Sequence, residues 1–374
     1  MRLPTFEMER MQSTWEHRVR FDLSESGVEA LTLAEAVGDV SSLAGVRLGY
    51  AAGMGREETR AQVAAFHAGA DAKNVLITTG TSEANFLALL TLVDPGDDVV
   101  VVLPNYMQVH GLARTLGARV REVWLREDKG WSLDLEELSA VMGSRTKAVC
   151  VCTPNNPTGQ ILSREDVASV AEIAERHGTW VLSDEVYRGT EHAGDEAPSF
   201  WGSGERVIVT GGLSKAYGLP GLRIGWIVSS PERIDAAWAA KDYTTIAPAT
   251  LSDLLAEKAL ARRAQLLERA RSLLRERWPV LREWAGRQNG ALRWTEPQAG
   301  AVCFFAYGHP VDSIPLADRL RAEGDTMVVP GAHFIRERHL RLGFGMDRRT
   351  LDGGLAALDR CLRTFIPEAE GARA

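Results

Sequence analysis

Four clusters in this 374-residue chain combine residue types that can do chemistry. Lys215 opens SKAYGLPGLRIGW (Ser214–Trp226), directly after the strand-like VIVTGG. A desolvated amine there has a depressed pKa and can form a Schiff base with a carbonyl. Most lysines are solvated surface residues, so Lys215 stands out only through its company. SDEVY (Ser183–Tyr187) puts Asp184 and Tyr187 at another strand end, where a buried carboxylate needs a cationic or hydrogen-bonding partner. CTPNNPTG (Cys152–Gly159) holds a side chain between Pro154 and Pro157 in a fixed pose that suits hydrogen bonding to a bound group, although a tight surface turn uses the same residues. TTGTSEAN (Thr78–Asn85) ends a strand, turns at Gly80 and opens a helix with Thr81 and Ser82. Free backbone N–H groups and the helix dipole make such an opening an anion site; Gly-Thr-Ser is also an ordinary helix start.

The elements that must position these clusters alternate from Asn74 to Ser229. The runs NVLITT, DDVVVVLP, AVCVCTP, TWVLSDEV, RVIVTG and RIGWIVSS are rich in Val and Ile with little polar alternation, as in strands buried on both faces. Helical patterns such as Ser82–Val93 and Arg164–His177 lie between them. This alternation predicts an open, largely parallel α/β sheet, whose ligands bind outside the carboxyl ends of the strands. From Asp253 to Arg287 a Leu/Ala/Arg/Glu stretch predicts an amphipathic helix joining two domains, kinked or divided at Pro279. Strand-like ALRWTEP, AVCFFAY, TMVVP and HLRLGFG follow, an α+β second domain. The first 35 residues lack a core of their own and are expected to pack on it.

Composition excludes several classes. The chain is 45% hydrophobic and 25% charged, which is globular. Its net charge of -7 gives no nucleic-acid footprint. No run of eighteen apolar residues predicts a membrane span, and MRLPTFEMERMQSTWEHR has no apolar core of a signal peptide, so the expected location is cytoplasmic. Cys150, Cys152, Cys303 and Cys361 are too few and scattered for a disulfide framework, and no metal site is expected. Six of the 43 basic residues are lysines (73, 129, 147, 215, 241 and 258). A GC-rich genome accounts for that rarity, not for their positions.

In this order and at these separations, Asn-Asn-Pro-Thr-Gly, Asp-Glu-Val-Tyr and Ser-Lys with an Arg eight residues after the Lys resemble the class I/II aminotransferases, pyridoxal-phosphate enzymes of fold type I. The resemblance runs from about Leu23 to Phe365. It implies a large domain (36–275) with a mostly parallel seven-stranded sheet between helices, and a smaller α+β domain (276–374) on which segment 1–35 packs. It implies that Lys215 holds pyridoxal 5'-phosphate as an aldimine and shuttles the Cα proton, and that Asp184 pairs with the pyridine nitrogen. Tyr187 and Asn156 would bond the phenolic oxygen, and Tyr106 would stack on the ring. Gly80, Thr81, Ser82 and Arg223 would bind the phosphate, with Ser214 as an addition. Tyr50 would reach the cofactor of a partner subunit, implying a homodimer with sites at its interface. Arg341 would bind the substrate α-carboxylate, with Asn156 and the Gly27 backbone nearby.

Departures from the pattern matter too. Gly212 stands where many relatives carry a hydroxyl, so one phosphate contact is expected to be lost. DLSESGVEAL replaces the usual Gly-x-Pro, which leaves Glu25 and Ser26 without an assigned role. Trp15, Tyr243, Thr244 and Thr245 are candidate substrate-lining residues, with packing as the commoner role for such residues. The leading expectation is transfer of an amino group between an α-amino acid and a 2-oxo acid. The alternative is elimination, replacement or cyclisation at Cβ or Cγ, which uses the same lysine and aspartate. A non-catalytic protein on this fold is disfavoured, because Lys215, Asp184 and Arg223 are all kept.

Overall fold

A computed structural model describes residues 3–288 and 290–365. In chain order its strands are β1 (Phe21–Asp22), β2 (Val75–Thr78), β3 (Asp98–Leu103), β4 (Arg119–Trp124), β5 (Thr146–Cys152), β6 (Trp180–Asp184), β7 (Val207–Gly212), β8 (Gly225–Val228), β9 (Leu292–Arg293), β10 (Val302–Tyr307), β11 (Thr326–Met327), β12 (Val329–Pro330) and β13 (His339–Gly343). The large sheet has the order β2-β8-β7-β6-β5-β3-β4. Only β8 runs against the rest, pairing antiparallel with both β2 and β7. The fold is of the α/β class, with helices on both faces of this sheet and apolar cores on each side.

All six apolar runs form strands. β2, β3, β7 and β8 are buried at every position, as expected where helices cover both faces. The seventh strand, β4, was not among the runs. It is an edge strand, RVREVW, with mostly exposed or half-exposed side chains, so it lacks the apolar signal that marks the others. Parallel strands share a carboxyl edge. The four chemistry-bearing clusters follow β2, β5, β6 and β7, and the register sets Asp184 beside Cys152 and Thr210.

The long helical stretch corrects one expectation. The chain divides at Ala261–Arg262, between helices Thr250–Leu260 and Arg263–Gly286, and the second helix runs on through Pro279. Leu266, Leu267, Ala270, Leu274, Leu281 and Trp284 anchor it from both sides of the proline, and that burial offsets the missing hydrogen bond.

β12, β13, β10 and β9 form an antiparallel sheet, and β1 adds in parallel to β11. Two helical glycines seat the N-terminal segment. A side chain at Gly353 would strike the Phe21 ring, and one at Gly354 would strike Leu23. Each glycine costs the helix about 1 kcal/mol relative to Ala, while burying Leu23 returns roughly 1.5–3 kcal/mol. The docking carries Ser24–Gly27 into the cleft beside β13.

Candidate active site

The phosphate-type end comes first. Gly80, at φ +78°, turns the chain from β2 into helix Thr81–Leu90, whose first N–H groups have no acceptor within the helix. A Cβ at Gly80 would run into the Arg223 guanidinium, and one at Gly225 would meet the Gly80–Thr81 backbone. These two glycines therefore let a cation and a helix N-terminus face one point. Ser214 Oγ lies 3.5 Å from Arg223 Nη1. Thr81 spends its hydroxyl proton on the Gly211 carbonyl at 3.0 Å, and a side chain at Gly212 would collide with that hydroxyl. The glycine at 212 is thus dictated by Thr81.

Asp184 lines the same cavity, about 160 Å³, as Thr81, Ser82, Tyr106, Asn156, Ser214, Lys215, Arg223 and Arg341. Its Oδ2 accepts from Asn85 Nδ2 at 3.0 Å, and its Oδ1 from the Val186 N–H at 3.1 Å. Thr210 Oγ donates to Asn85 Oδ1 at 2.7 Å, which fixes which way the amide points. Burial pushes the Asp184 carboxyl above its ordinary value despite these bonds. A carboxylate in that state calls for a cation in the cavity.

Lys215, which lines the same cavity, donates from Nζ to Glu25 Oε1 at 2.7 Å. Here the structure corrects an expectation: the Lys215 pKa is raised, not depressed. Burial alone would lower it, but the Glu25 carboxylate, and Tyr187 behind it, hold the ammonium. Burial would raise Glu25 in turn, yet the Lys215 charge and the Gly27 N–H bring it down to about 2. Tyr187 donates to Ser26 Oγ at 2.9 Å. Buried Arg341 donates to Asn156 Oδ1 at 2.9 Å and to the Ser24 carbonyl, and its Nε has no partner among the described residues. Gly27 fits because a Cβ there would press on Glu25 Oε1, Ser214 O and Lys215 Cα at 3.0–3.3 Å. Tyr106 donates to Glu9 Oε1 at 2.8 Å, so helix Glu7–Trp15 closes over the cavity with Met8, Glu9 and Gln12.

The other candidates lie apart. Tyr50 is 91% exposed and Tyr243 92%. Thr244 and Thr245 both donate to Glu83. Trp15 stacks under Arg321 and lines a separate groove of about 630 Å³ on the outer side of its helix. Sequence reasoning missed Glu9, Asn85 and Cys152 in the cavity. Asn85 carried a signal, since it stands one helical turn into the Gly80–Ser82 opening.

The sequence model of the family described as aminotransferase class I and II matches residues 21–358. The chain belongs to that family. It is 33% identical over 355 residues to the capreomycidine synthase of Streptomyces vinaceus, covering 93% of this chain and 91% of that protein. A PLP-dependent aminotransferase from Streptococcus suis superposes with a TM-score of 0.93 at 32% identity, covering 98% and 100% of the two chains. The PLP-dependent cyclase OrfR superposes with a TM-score of 0.90 at 28% identity, covering 97% and 98%.

The family's cofactor is pyridoxal phosphate, and this cavity fits it. The glycine-lined pairing of Arg223 with a helix N-terminus suits a dianionic phosphate, and the Asp184 carboxylate suits a protonated ring nitrogen. Among the described residues no helix is long and apolar enough to cross a membrane.

Proposed function

We propose that the chain acts on an α-amino acid with pyridoxal phosphate and carries out elimination, replacement or cyclisation at the side chain. Lys215 would hold the cofactor and then take the Cα proton on Nζ. Asp184, oriented by Asn85, would pair with the ring nitrogen; Tyr187 and Asn156 would bond the phenolic oxygen, and Tyr106 would cover the ring. Gly80, Thr81, Ser82, Ser214 and Arg223 would hold the phosphate. Arg341 would take the α-carboxylate, with the Gly27 backbone lining the same side. When bound, the cofactor supplies the electron sink that makes the Cα proton removable.

The observation that carries the choice of outcome is Glu25. A carboxylate 2.7 Å from the lysine that would move the proton gives that amine a charged partner that favours its protonated form. Transfer of the amino group needs Lys215 alone; loss or closure of a side-chain group also needs a proton delivered there. Similarity to a capreomycidine synthase over 93% of the chain supports the same reading. Amino-group transfer is the second reading, favoured by the 0.93 TM-score to an aminotransferase.

Incubation of the holoenzyme with single amino acids and no 2-oxo acid separates the two. Amino transfer stops after one equivalent of 2-oxo acid per site. Side-chain chemistry continues past one equivalent and releases the departing group or a cyclised product. A stop at one equivalent, with nitrogen passing to added 2-oxo acid, would overturn the first reading.

We also propose a homodimer with the sites at its interface. Leu48 and Tyr50 on one segment, and Tyr243 and Ile246 on another, are exposed apolar side chains. The two segments are tied together by Lys241 donating to the Gly53 carbonyl. Sedimentation should give twice 40.9 kDa, and Tyr50→Phe should weaken cofactor binding several-fold in an intact dimer. A monomer that binds the cofactor fully would contradict this.

A further inference from the structure

Three consecutive residues of the N-terminal segment each touch a different functional side chain. The Ser24 carbonyl accepts from Arg341, the Glu25 carboxylate from Lys215, and the Ser26 hydroxyl from Tyr187. The tripeptide is built in rather than passing by. Gly27 N–H donates to Glu25 Oε1 at 2.6 Å and aims the carboxylate, and side chains at Gly27 or Gly343 would clash with Glu25.

We propose that Glu25 is a catalytic residue that contacts Nζ of Lys215 and holds its proton there between the removal of that proton from Cα and its delivery to the group leaving Cβ. This rests on the reading of Lys215 as the amine that binds the cofactor. The balance needs no oxidant. The Cα–H bond breaks with its electron pair left on carbon, and Nζ takes the proton. The pair then closes a Cα–Cβ double bond as the bond from Cβ to the leaving group breaks, its electrons departing with that group. The group takes the proton from Nζ, and Lys215 is neutral again.

The surroundings of Nζ support this role. Tyr187 and Asp184 act on it from the loop after β6 and from the end of β6, and Arg341 from β13; Arg223 lines the same cavity. Burial lowers the Arg341 pKa, and Tyr187 and Glu25, then Glu9 and Asp22, oppose that. Glu25 is the carboxylate in contact with Nζ, and the pair reverses the lowering that burial alone would cause. A proton on Nζ is therefore kept through the interval in which the substrate side chain must be reached. An exposed surface pair would be worth little; this one joins a lysine that lines the cavity to a carboxylate that its own backbone aims at it.

The test is the pH dependence of cofactor capture. Full-length protein freed of cofactor is mixed with pyridoxal phosphate across a pH series and quenched with borohydride, and labelled Lys215 is quantified by mass spectrometry. Removing the charge in E25Q lowers the Lys215 pKa. The pH of half-maximal labelling should fall by about half a unit, making E25Q roughly threefold faster near neutral pH. Should E25Q fail to fold, E25D, with its charge drawn back by one methylene, should give a smaller downward shift. A profile that coincides with the wild type, or moves upward, overturns the proposal. Labelling of a lysine other than Lys215 in the wild type removes the reading it rests on, and the proposal with it.

Discussion

Lys215→Ala is expected to abolish the visible absorbance of the bound cofactor and to lower turnover by at least about 10⁴-fold, the upper range for a lone acid–base group. In the proposed function one side chain carries two roles, holding the cofactor and moving the Cα proton, so their losses compound. Stability should change little. The Lys215 side chain is 26% exposed and its partner Glu25 40%, so the lost ion pair is screened by solvent. Its sign is still defined. The raised Lys215 pKa contributes stability below 10.5, and the lowered Glu25 pKa contributes it above 4.5, to be lost as pH falls through about 2. The variant should therefore be slightly less stable at neutral pH, by at most about 1 kcal/mol. Circular dichroism and a thermal melt separate this from unfolding. Retained absorbance in a folded variant would remove Lys215 from the site.

Asp184→Asn should separate activity from stability in opposite directions. The carboxylate faces a cavity meant for a cation, and removing one partner of a buried charge pair costs roughly 2–5 kcal/mol, so turnover should fall about 10²–10³-fold. The cofactor-free protein should respond the other way. Burial raises the Asp184 pKa above 3.8, so its charge destabilises the empty fold at neutral pH. The asparagine keeps the shape and can still accept from Val186 or Asn85. Thermal melts of the cofactor-free variant should show a gain at neutral pH that vanishes below about pH 3.8, where Asp184 is protonated folded and unfolded alike. A cofactor-free variant less stable than the wild type at neutral pH would contradict this account.

The legible parts of this molecule are those with local signals. Strands buried on both faces wrote continuous Val and Ile runs, and turns such as Thr-Gly-Thr and Asn-Pro-Thr-Gly placed their clusters at strand ends. β4 escaped because an edge strand needs no apolar run. Pro279 does not divide its helix, because burial on both sides of it holds the helix together. The Lys215 charge state was misjudged for a different reason. Its controlling neighbour, Glu25, is 190 residues away in sequence and is brought near by pairing of β1 with β11. Burial can be guessed from a strand pattern; a contact across that distance cannot. Asn85 shows the intermediate case, visible in the motif yet without meaning until Asp184 and Thr210 closed around it.

In the proposed function one amine among six, Lys215, holds the cofactor. Lys241 is its strongest rival on chemical grounds: it is fully buried, burial lowers its pKa, and its Nζ reaches only the Gly53 carbonyl among the described residues. It does not line the cavity. Borohydride treatment of the holoenzyme, followed by proteolysis and mass spectrometry, fixes the cofactor to whichever amine carries it. The structure predicts a phosphopyridoxyl group on Lys215 and on none of Lys73, Lys129, Lys147, Lys241 or Lys258; a label on Lys241, or on any of the others in its place, would contradict it.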